Sequence, residues 1–342
     1  MLTPIARRSA LAGLAACVAG RVAKGAPSVL PEAATLFVAG PPGGRTDRWA
    51  DLIAPPLGRA LQQQAALSRE NVGGADGVTG ANQFEARAIP DGSTALLVPG
   101  SATLAWLCGD GRVKFDAGHW VPVWAGTAAA ALATRGRLAP GQPLRFAVQS
   151  IVGPELAALL ALDLLGVPVS PMSIGPETPG VAMRSDINAV FLRGPALRSQ
   201  AEALTSAGWT LAFGLGTMAP DGAVVRGPVF PDLPTPQELI SRAHRPAPPA
   251  LVDALRAVCA AAQLDHALVL PQLSPAAIVA WWRRGCGALA QTPDVQAEAA
   301  RTLVRPISPQ SAGASTATIA VDAPVLLELR RWLAERHQWR PV

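Results

Sequence analysis

Short β-like runs alternate with helical runs along most of this chain, and that alternation restricts its possible folds more than any other feature. The first run, Thr35 to Val38, is followed by a glycine-rich loop and a helical pattern over Arg48 to Gln64. Further strands are predicted at Thr94 to Val98, Trp120 to Gly126, Leu144 to Gln149, Asn188 to Phe191 and Leu211 to Gly214, with a helix at Pro154 to Leu165. The pattern predicts an α/β fold with mostly parallel sheets.

The C-terminal third is predicted to be mainly helical and to pack on the rest of the chain. Its helical patterns cover Ala250 to Ala262, Ser274 to Ala290 and Pro324 to Trp339. The Ser/Ala/Gly-rich stretch from Ser308 to Thr318 is expected to separate the last two. A length of 342 residues is enough for two domains, each with its own core.

The first residues are typical of a targeting segment. Arg7 and Arg8 precede an apolar run from Ala10 to Ala19, which is about half of the ~20 residues needed to span a bilayer. We therefore expect export to the periplasm. The paired arginines leave the general and the twin-arginine export routes open. Cleavage is expected either after Gly25, giving a signal peptide of residues 1–25, or after residue 16, in which case Cys17 is the lipidation candidate.

Charge argues against a nucleic-acid partner. The formal net charge is +5, but residues 1–25 contain four cationic residues and no acid, so the exported body carries +1 after cleavage at Gly25, or +3 after a cut before Cys17. A body this close to neutral lacks the electrostatic footprint of nucleic-acid binding. Half of the chain is apolar and only 15% is charged, which excludes a disordered chain.

The segment from Val38 to Asp47 lies between a predicted strand and a predicted helix. Its sequence is Val-Ala-Gly-Pro-Pro-Gly-Gly-Arg-Thr-Asp. Glycines let the backbone turn with its N–H groups exposed, and a helix start leaves further donors unsatisfied. Together they form a cradle for a carboxylate or a phosphate. Thr46 or Asp47 is expected to cap the helix, and a tight turn without a ligand is the alternative interpretation.

Two later segments give the loop a family context. They are Glu-Asn-Val-Gly-Gly-Ala-Asp-Gly from Glu70 and Pro-Asp-Gly-Ser-Thr-Ala-Leu-Leu from Pro90. The order resembles that of the Bug receptors of tripartite tricarboxylate transporters. Ile187 to Phe191 resembles the family's second-lobe strand, and Phe230 to Leu239 resembles its Leu-Pro-Asp-Val-Pro-Thr segment. In the last segment, Thr235, Pro236 and Glu238 also form a predicted capping box, which is a structural feature.

The resemblance implies a two-lobed fold like that of type II periplasmic binding proteins, with a ligand cleft between the lobes. Residues 34–127 and about 216–342 would form lobe 1 with the helical C-terminal part, and residues 128–215 would form lobe 2. The implied ligand-binding residues are Pro42, Gly43, Gly44, Arg45, Thr46, Asp47, Ser101, Gln149, Ser150 and Gly175. Lobe closure would trap a small organic acid or related polar solute and present it to membrane transporter subunits or a sensor. No cofactor, no metal and a monomer are expected.

Three departures from the family pattern leave the ligand's charge open. The stretch Gly153 to Leu156 replaces the family's Ser-His-Leu, Asp76 stands where glycine is usual, and Ser173 to Gly175 replace Tyr-Lys-Gly. A carboxylate from Asp76 or Glu155 facing the cleft would oppose an anionic ligand. A neutral, amide-bearing or monocarboxylate solute is therefore as compatible with the sequence as a dicarboxylate.

The sequence offers no catalytic set that we can name. Its histidines, His119, His244, His266 and His337, lack metal-ligand spacing and are expected on the surface or in loops. Cys108, Cys259 and Cys286 are expected to be buried thiols, with a bridge between the last two as the alternative. The competing function is a ligand-free structural or interaction lipoprotein that retains the binding-protein fold.

Overall fold

The computed structural model describes residues 30–62, 67–139, 141–175, 184–219, 221–243 and 245–340. The targeting segment with Cys17, and His244, lie outside the described residues. The strands are β1 Thr35–Ala39, β2 Ser68–Val72, β3 Thr94–Pro99, β4 Val121–Ala128, β5 Ala130–Thr134, β6 Leu144–Val148, β7 Val169–Ser173, β8 Ala189–Arg193, β9 Thr210–Gly214, β10 Thr217–Met218, β11 Val224–Val225, β12 Leu264–Leu270 and β13 Val304–Ile307.

Most of the helices follow or precede these strands on the faces of two sheets. They are α1 Arg45–Ala60, α2 Val78–Arg87, α3 Gly100–Cys108, α4 Leu156–Leu164, α5 Leu197–Ser206, α6 Pro236–Arg242, α7 Pro249–Gln263, α8 Ala276–Gly287, α9 Pro293–Thr302, α10 Pro309–Ile319 and α11 Ala323–His337. Single 3-10 turns lie at Ala117–His119 and Leu289–Gln291.

The first sheet has the strand order β13-β4-β12-β3-β1-β2. β1 pairs in parallel with β2 and β3, whereas β12 runs antiparallel to both β3 and β4, and β13 is antiparallel to β4. The second sheet has the order β7-β6-β8-β5-β9, with parallel pairs around β6 and antiparallel pairs around β5. The predicted α/β class is therefore correct, but the expectation of mostly parallel sheets is wrong because both sheets are mixed.

The prediction for the C-terminal third fails most clearly at β12. This strand follows α7 directly and is buried along its whole length, so a region predicted to be helical supplies an internal strand of the first sheet. The stretch expected as a separator is a helix, α10, which starts with Ser308 as its cap and Pro309 in its first turn. The Ser308 hydroxyl accepts a hydrogen bond from the N–H of Ser311, and such caps stabilise helix starts.

α4 links the hydrophobic cores of the two sheets. Its sequence is apolar on every side, and nearly every residue in it is buried. A helix that is hydrophobic all round must be covered on all sides, and α4 meets this need by packing between the second sheet and α7. One hydrophobic cluster consequently runs from the first sheet through α7 and α4 to Phe146 and Phe213 of the second sheet.

The three described cysteines are free and buried. Cys259 on α7 and Cys286 on α8 belong to different core clusters, so the alternative of a bridge between them is wrong and the prediction of buried thiols is confirmed. Burial raises the pKa of the Cys108 thiol to about 12. The predicted capping box of α6 is also confirmed, with Thr235 and Glu238 bonded reciprocally.

No single helix among the described residues has the length and apolarity to cross a bilayer; α10 and α11, bent by 65°, meet that test only as a pair.

Candidate functional site

A cavity of about 190 Å³ lies where the two sheets face each other. It is larger than the ~150 Å³ cavity that accommodates a benzene molecule in an engineered protein core. The first sheet's side contributes the loop before α1, the starts of α1 and α3, and the junction of α7 with β12. The second sheet's side contributes Pro154, just before α4, and Arg193 at the end of β8. The cavity therefore has walls from both halves of the molecule.

Two larger concavities lie elsewhere. One of about 530 Å³ is an open groove lined by α10, α11 and the β11 region, and one of about 270 Å³ lies between α11 and the loop before α7. Both are lined by residues that the sequence does not connect with a ligand. We place the candidate site in the smaller cavity, because helix starts and buried charges converge there.

The carboxylate of Asp47 fixes the conformation of the loop before α1 through hydrogen bonds. Asp47 Oδ2 accepts the N–H of Gly43 at 2.7 Å, and Oδ1 accepts the amide of Asn71 at 2.8 Å. Burial alone would raise the pKa of Asp47, but these two hydrogen bonds and the charge of Arg69 hold it below its usual value. The Gly44 N–H donates to the Pro41 carbonyl at 3.0 Å. The two glycine N–H groups of the predicted cradle are thus engaged within the loop.

The helix cap differs from its prediction. α1 begins at Arg45, three residues before the predicted start, and Gly44 occupies the cap position without a side-chain bond. The expectation that Thr46 or Asp47 caps the helix is wrong, because Asp47 reaches backwards to Gly43 instead. The backbone donors left for a ligand are those of the first turn of α1, and they lie beside Arg45 and Thr46 in the cavity wall.

The start of α3 forms the adjacent wall. Gly100 lies so close to β12 that a β-carbon on it would stand 2.1 Å from the Leu264 carbonyl oxygen. The Ser101 hydroxyl donates to the Asp76 carbonyl at 3.0 Å. The starts of α1 and α3 therefore both border this cavity, and the positive ends of their dipoles favour an anion there.

An ion cluster forms part of the cavity wall. The Asp265 side chain is 1% exposed, and its Oδ1 lies 2.6 Å from Arg45 Nε and 3.9 Å from Arg193 Nη2. Its Oδ2 lies 3.0 Å from His266 Nδ1. Arg193 also donates from Nη2 to the Leu264 carbonyl at 3.1 Å, so this arginine of the second sheet is bonded directly to the first.

The environment shifts the pKa of each acid differently. Burial would raise the pKa of Asp265, but the hydrogen bond with His266 and the two guanidinium groups hold it below its usual value. Burial raises the pKa of Glu155 even though Arg193 lies near it. Asp265 is therefore the firmly ionised acid of the cavity wall, whereas Glu155 lies outside that wall.

His266 corrects the expectation that the histidines are on the surface or in loops. It is fully buried in β12, with its ring 4.5 Å from the ring of Trp49 and 4.9 Å from that of Trp124. Its strand partner is Gly126, where a β-carbon would overlap the imidazole at 2.4 Å. His266 therefore supports Asp265 from the core side and is screened from the cavity.

The predicted site residues are only partly brought together. Gly44, Arg45, Thr46 and Ser101 line the cavity. Pro42 and Gly43 are exposed beside it, and Asp47 is buried behind the loop. Gln149, Ser150 and Gly175 belong to the second sheet's loops and are not among the lining residues.

The two acids among the departures from the family pattern, Asp76 and Glu155, have structural partners. Asp76 accepts the N–H of Val78 at the start of α2 and pairs with Arg112 at 2.7 Å, and it does not line the cavity. Glu155 accepts the N–H of Gln149 at 3.3 Å. Sequence reasoning missed Arg193, Asp265 and Gly100, although Arg193 stands at the carboxyl end of a predicted strand, where ligand sites of α/β sheets lie.

The chain was compared with solved structures. A TctC solute-binding protein from Polaromonas superposes with a TM-score of 0.63, at 17% sequence identity, covering 88% of this chain and 98% of that protein. The chain has the fold of a TctC solute-binding protein. The two-lobed α/β fold that the Bug resemblance implied is thereby confirmed.

Other solved structures superpose on this chain with lower TM-scores. The periplasmic binding protein BugD gives a TM-score of 0.49 at 16% identity, covering 89% of this chain and 97% of that one. MatC from Rhodopseudomonas palustris with bound malate gives 0.48 at 19% identity, covering 88% and 97%. No model of a known protein family and no curated protein sequence matches this chain.

Proposed function

We propose that this chain is a non-catalytic extracytoplasmic receptor of the Bug type, which captures a small carboxylated or polar solute between its lobes. The observation that carries the proposal is the cavity with walls from both sheets, bordered by the starts of α1 and α3. Helix starts are suited to an anionic group. Closure of the lobes would enclose the solute.

We place the lobe boundaries where the chain passes between the sheets. Lobe 1 comprises residues 34–127 and about 216–342, and lobe 2 comprises residues 128–215. The strand composition of the sheets supports this division, since β5 to β9 lie between residues 130 and 214. A monomer that is exported to the periplasm and presents its solute to transporter subunits or to a sensor completes the proposal.

The chemistry of the cavity favours binding over catalysis. Ser101 donates to a backbone carbonyl and not to a general base, and activation of a hydroxyl nucleophile requires such a base. His266 is fully buried behind Asp265. The groups that remain in the wall, namely guanidinium, carboxylate and backbone donors, hold and orient a solute.

A thermal-shift screen of residues 26–342 against mono-, di- and tricarboxylates, aromatic acids and amides tests the proposal. A ligand at a hundred times its Kd adds about 2.7 kcal/mol to the stability of the folded state and raises Tm by about 5 °C. Ala75→Trp should abolish the shift, because Ala75 is exposed at the cavity wall. Ala203→Trp, on the exposed face of α5 and away from the cavity, should leave it unchanged.

If no compound shifts Tm while circular dichroism shows a folded chain, the receptor proposal is wrong and the ligand-free interaction protein replaces it. A shift that persists in Ala75→Trp would place the solute outside this cavity.

A further inference from the structure

The positive and negative charges of the side chains in the cavity wall are unequal in number. Arg45 and Arg193 are cations, and Asp265 is their shared acid. Among the described residues, Glu155 is the next acid near Arg193, but it lies outside the wall. Burial raises the pKa of Glu155, although the Gln149 N–H donates to its carboxylate. The wall therefore carries one positive charge more than negative.

Several guanidinium nitrogens in this wall lack a hydrogen-bond partner. Within the described chain, Nε and Nη2 of Arg45 and Nε of Arg193 are buried without one, and the short contact between Arg45 and Asp265 lacks hydrogen-bond alignment. Buried polar groups of native proteins are normally bonded. Nη2 of Arg45 and Nε of Arg193 therefore have unused hydrogen-bonding capacity beside the cavity that the proposed function assigns to the solute.

The two arginines approach the cavity from opposite lobes. Arg45 is the first residue of α1 on lobe 1, and Arg193 is the last residue of β8 on lobe 2. The guanidinium group presents its donors in a planar fork that matches a carboxylate. One carboxylate held between both forks would also hold the lobes together.

We propose that the solute is a monoanion, whose single carboxylate is bound jointly by Arg45 and Arg193. This inference rests on the receptor function proposed above and adds the charge of the ligand. One negative charge neutralises the wall. A second carboxylate would meet the buried charge of Asp265 without a cation of its own, and a neutral amide would leave the excess positive charge uncompensated.

Matched acid and amide series test the charge directly on the wild-type protein. Isothermal titration compares succinamate, succinate and succinamide, and then the corresponding trios built on glutarate and terephthalate. The half-amide, with one negative charge, should bind at least tenfold more tightly than the diacid and the diamide of its trio. If a diacid or a diamide binds most tightly, the charge inference is wrong and the receptor function stands. If no member of any trio binds and the thermal-shift screen yields only dianionic or neutral ligands, the charge inference is wrong and the receptor function stands. If the screen also yields no ligand, both proposals fail.

Substitutions test whether Arg45 and Arg193 bind the carboxylate. Arg193→Gln and Arg45→Gln should each weaken half-amide binding by about tenfold to a hundredfold, since a hydrogen bond to a charged group is lost. Arg198→Gln, on an exposed position of α5, is the matched control and should bind as the wild type does. Unchanged half-amide affinity in a folded Arg193→Gln variant would overturn the proposal.

Asp265→Asn reverses the expected preference. This substitution raises the excess positive charge of the wall from one to two, so the diacid should gain affinity relative to the half-amide. A preference that stays with the half-amide in this variant would contradict the charge argument, even if the variant is less stable than the wild type.

Discussion

Replacing Asp265 with asparagine should cost far more stability than its small change in shape suggests. The side chain is 1% exposed and serves Arg45, Arg193 and His266 at once. Asparagine keeps the shape and can still accept from His266, so the packing is preserved. The change leaves the guanidinium of Arg193 without its counter-ion in a buried position.

The magnitude follows from the burial of the partners. Breaking a buried ion pair by removing one partner costs ~3–5 kcal/mol. Arg45 is 37% exposed, and water therefore screens part of its loss. We expect the lower end of that range, about 3 kcal/mol, which lowers Tm by roughly 6 °C for a chain of this size.

Urea unfolding followed by tryptophan fluorescence measures the loss, because Trp49 and Trp124 lie against His266. Asp253→Asn is the matched control, since Asp253 forms a 2.9 Å pair with Arg256 in which both side chains are about half exposed, and it should cost about 0–1 kcal/mol. In the Arg193→Met background, Asp265→Asn should cost less than it does in the wild type. An Asp265→Asn cost no larger than that of Asp253→Asn would refute the idea of a charged, buried cluster.

Three further predictions concern other parts of the molecule. The pKa of Asp47 is lowered on folding, so its stabilising effect is complete above its unfolded pKa and is lost as pH falls through its lower folded pKa. The difference in unfolding free energy between the wild type and Asp47→Asn should therefore shrink between about pH 5 and about pH 2. A constant difference would contradict this. Gly100→Ala should destabilise the fold by about 1–3 kcal/mol because its β-carbon meets the Leu264 carbonyl. Gly313→Ala, in an open helical position of α10, should stabilise the fold by about 0.5–1 kcal/mol. Equal effects of the two substitutions in chemical denaturation would contradict the predicted steric clash at Gly100. The three buried cysteines should not react with a thiol reagent at pH 8 in folded residues 26–342 and should all react in denaturant, and rapid native labelling would contradict their burial.

Local patterns predicted those elements whose stability is local. The apolar run at Thr35 to Val38 and the helical periodicity over Ala250 to Ala262 correspond closely to β1 and α7. Thr235 and its capping box are likewise defined within a few residues. The two-lobed fold came instead from the ordered segments that resemble the Bug family, which no single element could have revealed.

The missed features depend on distant partners. The polar residues Asp265 and His266 are the second and third residues of β12, which directly follows a helix. Neither the length of the segment nor its pattern of apolar and polar residues therefore indicates a strand. Burial of that pair is possible because Arg45, Arg193 and the tryptophan rings surround it. Those contacts join segments far apart in the chain, and a single sequence does not predict them.

The placement of β12 also dictates an order of assembly. β3 and β4 do not pair with each other, because β12 lies between them, and β12 is synthesised long after both. The second sheet, whose strands lie between residues 130 and 214, can complete its hydrogen-bond ladders first. The first sheet is completed only when β12 and β13 are added, and such long-range pairing slows folding. A chain with this topology leaves the pairing edges of β3 and β4 open until its last third is synthesised, so the cavity wall at the junction of α7 with β12 is among the last features to form.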